Sequence, residues 1–209
     1  KEAYSRLEEI AQQHENKNEA RIGLMRCNEK LGDSQEAVNY AQKVLAIDKL
    51  PDNIRNEAEL IIAKSYIMSN RISDAQNLLE GISKRSKSAI GAEAKYILAN
   101  IRYNLKDHKE TEKIIFELAE QFANHDYWIA KAFIMLADIY LALGNKFQAK
   151  HTLQSIIDNY EGEELKNIAI QKLNIILESE KPKEPEKTKE PIEIELNGIP
   201  GESNIDLNN

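Results

Sequence analysis

The sequence predicts an all-α fold: a solenoid of antiparallel helix pairs, closed by a capping helix and followed by an extended tail. Three observations carry this expectation. Small residues suited to a close helix crossing recur at Ala3, Ala37, Ala75, Thr111 and Ala149, in steps of 34, 38, 36 and 38. A second column, Met25, Ala63, Ala99 and Ala137, keeps steps of 38, 36 and 38. Leu7, Ala41, Leu79, Ile115 and Leu153 follow the first column by four residues, and Ile10, Val44, Ile82, Leu118 and Ile156 follow it by seven. Chance does not hold four columns in phase along a chain, and a period of this length marks stacked helical units. Composition agrees. With 8 Gly and 5 Pro in 209 residues and 30% charged, the chain favours long helices over a strand-rich sheet.

Taken in order, residues 1–16 read as the second helix of a repeat whose first helix is missing. Together with a start at Lys1 rather than Met, this leads us to expect a piece of a longer array that has lost any targeting segment. Four complete repeats are expected near 18–51, 56–88, 92–124 and 126–160. The basic unit is 34 residues, and a step of 38 adds about one helical turn at a loop. Gly32 ends one helix, and Asp33 to Glu36 has the pattern of a capping box for the next, as does Asp107 to Glu110. Asn70 takes a place where Gly is usual, and Lys106 replaces Gly at the third turn. Pro51 is read as a helix stop closing the first repeat. Residues 162–179 reuse the first-helix register at Leu165, Ile168 and Ala169, with a polar opposite face, and are expected to cap the solenoid. Residues 180–191, rich in Pro, Lys and Glu, read as an extended linker. Residues 192–209 are acidic, without Lys or Arg, and read either as a disordered end or as a docking motif.

The stretch 126–160 is the most informative. Phe133, Leu136, Ala137 and Tyr140 share one helical face, Gly144 suits the turn, Asn145 can cap, and Ala149, Leu153 and Ile156 line the next helix. This order of residues resembles the tetratricopeptide repeat (TPR). The resemblance implies a right-handed superhelix whose first helices line a concave groove through positions 2, 5, 9, 12 and 13 of each unit. Carried over, the groove residues include Arg26, Lys30, Leu60, Lys64, Ile67, Tyr96, Asn100, Tyr103 and Asp138, with Lys131 and Ile134 at further positions of the fourth unit. The ninth positions run Arg26, Lys64, Asn100, Asp138, so the groove is expected to be basic at one end and acidic at the other. The alternative is that some of these residues, the fifth positions above all, only pack neighbouring helices. Two departures from the family pattern stand out. The fourth position, often a large residue, is Arg21, Glu59 and Lys95 in the first three units, so packing there should be looser than at Phe133. The carboxylate clamp of co-chaperone TPR domains needs a cation at position 5, where this chain has Ile22, Leu60, Tyr96 and Ile134.

Other chemistries find little support. A net charge of −7 argues against a nucleic-acid partner, and no apolar run approaches the roughly 18 residues of a membrane span. The single cysteine, Cys27, allows no internal disulfide and falls among core positions. His14, His108, His125 and His151 form no metal-ligand spacing, and adjacent acids such as Glu8 and Glu9 read as solvated faces. The basic loop 83–88 reads as a solvated connection rather than an anion site. The chain is therefore read as a non-catalytic scaffold, without metal or cofactor, that binds a protein or peptide partner. In its richness in Ile, Asn, Lys and Glu and in the run Tyr140 to Ala149, the chain also resembles large exported TPR proteins of bacterial envelopes. This resemblance implies a periplasmic or envelope-associated location within a longer protein, a cytoplasmic one being the alternative. A second reading has the acidic tail meeting Arg26 and Lys64 in its own groove or in that of a neighbour, as a homodimer.

Overall fold

A computed structural model describes residues 1–180, which form ten helices. The linker and tail expected over 180–191 and 192–209 lie outside the described residues, save Glu180. The helices are α1 (Glu2–Ile10), α2 (His14–Lys30), α3 (Ser34–Leu45), α4 (Asp52–Met68), α5 (Ile72–Arg85), α6 (Ala89–Asn104), α7 (His108–Gln121), α8 (Asp126–Ala142), α9 (Lys146–Asn159) and α10 (Glu163–Glu180).

Each helix packs on the next, and a second set of contacts runs α2–α4–α6–α8–α10. Among the described residues no such contacts join α3, α5, α7 and α9 to one another. A row of helices in mutual contact follows a shorter path than a splayed row. The first helices therefore form the inner, concave wall, and the second helices the outer one.

The core follows the repeat columns. From the first complete repeat onward every marker is buried: Ala37, Ala75, Thr111 and Ala149 at the helix crossings, and Met25, Ala63, Ala99 and Ala137 opposite them. Small side chains at these sites let two helices approach closely, and the larger Leu79, Ile115 and Leu153 fill the next turn. The truncated repeat ahead of the first complete one departs from the column. Ala3 is exposed and Ile10 is 74% exposed, because among the described residues no helix lies on the side these two residues face. The helix also stops at Ile10 instead of continuing to residue 16, and His14 to Asn16 belong to α2.

Four turns share one construction. Gly32, Asn70, Lys106 and Gly144 all adopt positive φ, at 74°, 58°, 62° and 77°. After each, a backbone N–H closes back on the preceding helix: Asp33 to the Asn28 carbonyl, Arg71 to Tyr66, Asp107 to Arg102 and Asn145 to Tyr140. This is the Schellman geometry. Asp33, Asp107 and Asn145 then accept from the backbone N–H groups of Glu36, Glu110 and Gln148. The reciprocal half of a capping box is not made, since the N–H it needs is already committed to the turn. Arg71 cannot accept. Its guanidinium lies 4.1 Å above the Tyr66 ring and pairs with Asp74 at 2.6 Å. Pro51 stands just before α4, its carbonyl accepting from Arg55, and α3 has already ended at Leu45.

At the fourth positions the chain replaces apolar packing by ion pairs between helices. Arg21 reaches Glu8 of α1 at 3.1 Å, Arg85 of α5 pairs with Glu59, and Lys95 pairs with Glu117 of α7 at 2.5 Å. The capping helix α10 buries Leu165, Ala169 and Ile176. Its outer face is not purely polar, because Ile175 and Leu177 exceed what one buried stripe can absorb and stay exposed.

Candidate partner-binding groove

The inner row brings most of the expected groove residues onto one wall, but in two electrostatically different halves. Toward α2 and α4 the cations are already matched. Arg26 donates two hydrogen bonds to the Glu57 carboxylate, at 2.7 and 2.8 Å. This bond, opposed by burial, raises the Arg26 pKa further. Lys64 sits between Glu93 at 2.7 Å and Glu29 at 3.4 Å. Burial disfavours its charge, and the two carboxylates outweigh that, so its pKa is raised. The basic end expected from the ninth positions is thus compensated by acids one repeat away. Leu60 is 4% exposed and belongs to the core with Ala63 and Leu79, so it does not line the groove. Ile67 packs against that same core, and Lys30 is exposed without an ion pair among the described residues. The cavity in this half, between α2, α3 and α4, holds about 70 Å³.

Toward α6, α8 and α10 the groove opens to about 310 Å³. Tyr96, Asn100 and Tyr103 come from α6, Tyr127, Lys131, Ile134 and Asp138 from α8, and Glu164, Leu165 and Ile168 from α10. Of the nine expected residues, this pocket gathers Tyr96, Asn100, Tyr103 and Asp138. Asp138 is paired with Lys172 at 2.7 Å. The Lys131 ammonium lies 5.2, 5.4 and 5.3 Å from the ring centres of Tyr96, Tyr127 and Trp128. Burial pushes the Tyr96 hydroxyl pKa up, Lys131 opposing and Tyr127 adding to the shift. Tyr127 and Glu164 line the pocket although the repeat positions did not single them out, and Trp128 lies beside it with its ring centre 5.4 Å from that of Tyr96. They enter because α8 begins at Asp126, a turn ahead of the unit's second position, and because α10 continues the inner row.

A larger concavity of about 550 Å³ lies between α5, α6 and α7. Its lining of Glu80, Glu110, Glu117 and Glu120 with Lys84, Lys95 and Arg102 makes it a solvated, charge-mixed surface. Among the described residues, no group of three His, Cys, Asp or Glu is placed to hold a metal, and no helix is long and apolar enough to cross a membrane.

Helix pairs stacked on an inner row of first helices, with a Schellman turn inside each pair, define a TPR-like repeat solenoid. Residues 131–162 match the family described as Tetratricopeptide repeat. Among solved structures, BtubC (BKLC) from P. vanneervenii is similar at 16% identity, covering 99% of this chain and 97% of that one, with a TM-score of 0.59. Nearly identical TPR-like repeats assigned to a Podosopora anserina kinesin light chain are 18% identical over 81% of this chain and 89% of that one, at 0.55. MamA is 23% identical over 75% and 94%, at 0.50. A comparison with curated proteins finds no match. At these identities the likeness concerns the fold, and function has to be argued from the site.

Proposed function

We propose that the chain is a non-catalytic scaffold that holds a segment of a partner polypeptide in its concave groove, at the α6–α8–α10 end. One observation carries this reading: the open pocket of about 310 Å³ combines aromatic and aliphatic walls with a cation that has no acidic partner among the described residues. Aromatic anchors around a charged group are the composition of interface hot spots. The opposite half of the groove, with matched charges and a small cavity, serves as structure. A place in a larger bacterial envelope protein completes the proposal. It is supported by the likeness of the stretch 140–149, and of the chain's richness in Ile, Asn, Lys and Glu, to exported envelope TPR proteins, and fractionation of the source cell checks it.

The test is capture from cell extract on the immobilised full chain, beside a groove variant (Tyr96→Ala, Tyr103→Ala, Lys131→Glu) and an outer-wall variant, Phe116→Ala. Phe116 lies on α7 and is 50% exposed. A partner retained by the wild type and by Phe116→Ala but lost by the groove variant supports the reading. A partner retained by the groove variant sinks it. A second reading places the chain's own acidic tail in the groove, or in that of a neighbour, and Lys131, which has no acidic partner among the described residues, is the observation that favours it.

A further inference from the structure

We propose that residues 192–196 of the chain itself dock in the α6–α8–α10 pocket with a glutamate on Lys131, in competition with a partner segment. This rests on the groove reading and specifies how that site is regulated. Its carrier is a missing rung. Along the inner row, the ninth position of one repeat pairs with the second position of the next: Arg26 with Glu57, and Lys64 with Glu93. At the third junction those two places hold Asn100 and Lys131, so the cation meets a neutral amide. Among the described residues Lys131 forms no ion pair. It donates to the Tyr127 hydroxyl at 3.4 Å and rests over three aromatic rings. Of the two acids in the pocket, Asp138 is engaged by Lys172, and Glu164 makes no ion pair with Lys131. An ammonium on an aromatic floor beside an amide donor is a receptor for a carboxylate flanked by aliphatic side chains.

The segment Ile192, Glu193, Ile194, Glu195, Leu196 has that chemistry, and residues 192–209 contain four acids and no Lys or Arg. The reach is sufficient. Leu165 and Ile168 line the pocket from the first turns of α10, about 18–23 Å back from Glu180 at 1.5 Å per residue. Eleven residues, 181–191, separate Glu180 from Ile192, and fully extended they span about 36–40 Å.

Trp128, the only tryptophan, reports on the pocket in the full chain. Acrylamide quenching of its fluorescence is compared between the wild type and the tail variant Glu193→Lys, Glu195→Lys. Quenching should rise about twofold in the variant, as a docked form holding most of the population requires. Adding Lys131→Glu to the tail variant should restore shielding by exchanging the charges. A synthetic peptide of residues 190–209, titrated into the tail variant, should shield Trp128, and bind about tenfold more weakly once Lys131→Glu is present, as loss of a charge-assisted contact implies. Equal quenching of wild type and tail variant, with an inert peptide, overturns the proposal. Shielding that depends on protein concentration overturns its same-chain form. If a captured partner shields Trp128 while the chain's own peptide does not, the tail proposal falls and the groove reading stands.

Discussion

Tyr140 shows how one side chain links the core to the outer wall. It is 9% exposed, and its hydroxyl donates to Glu112 of α7 at 2.6 Å. Burial, with the Glu112 bond and charge adding to it, pushes its pKa from the ordinary 10.0 up to about 12. The folded pKa lies above the unfolded one, so the stabilisation is complete below pH 10 and is lost as pH rises toward 12. Urea titrations between pH 8 and 11.5 should show a falling alkaline limb, and Tyr140→Phe should flatten it while costing about 1 kcal/mol at neutral pH. Lys106 offers the opposite change. It holds φ 62°, where a side chain is strained, and Gly stands at the equivalent places 32 and 144. Lys106→Gly should raise stability by about 1 kcal/mol in thermal or urea melts. These core and turn residues were legible because the repeat columns and turns recur every 36–38 residues from the first complete repeat onward. The charge pairs were not read, although their signal was present. Arg26–Glu57 and Lys64–Glu93 join position nine of one repeat to position two of the next, and a reading within repeats cannot see a bond made between them.

At the scale of the element, the helix junctions are unequal. At Gly91, a Cβ would stand 2.1 Å from the Ser86 carbonyl oxygen and 2.9 Å from the Phe122 ring. Backbone cannot yield there as a flexible side chain can. Gly91→Ala should cost about 2–4 kcal/mol and displace α6 from the end of α5. At Gly23 a Cβ would meet the ring of Tyr4 at 2.5 Å, but Tyr4 is 39% exposed and can swing outward. Gly23→Ala should therefore loosen α1 while leaving the cooperative melt of the remaining helices in place. Helix α1 has no buried residue, so hydrogen exchange should find it the least protected helix. Its apolar spacing was legible. Its exposure was not, since a column predicts which face a residue takes and cannot tell whether anything covers that face.

For the whole molecule, a solenoid confines each interaction to neighbouring units, so the two ends of one groove can differ in purpose. Among the described residues three adjoining core clusters support it, around Met25 and Val44, around Leu79 and Ile82, and around Leu136 and Leu153. Among the described residues the inner row carries cation–carboxylate pairs across its first junctions and, at the third, a lysine without an acidic partner. The periodicity made the concave wall legible, and it could not say which half of that wall was free, because charge compensation depends on three-dimensional neighbours. The most direct measurement is hydrogen–deuterium exchange of the full chain with and without its captured partner. The account predicts added protection on α6, α8 and the first turns of α10, with α7 and α9 unchanged. Protection concentrated on α7 and α9, with the inner row unaffected, would contradict it.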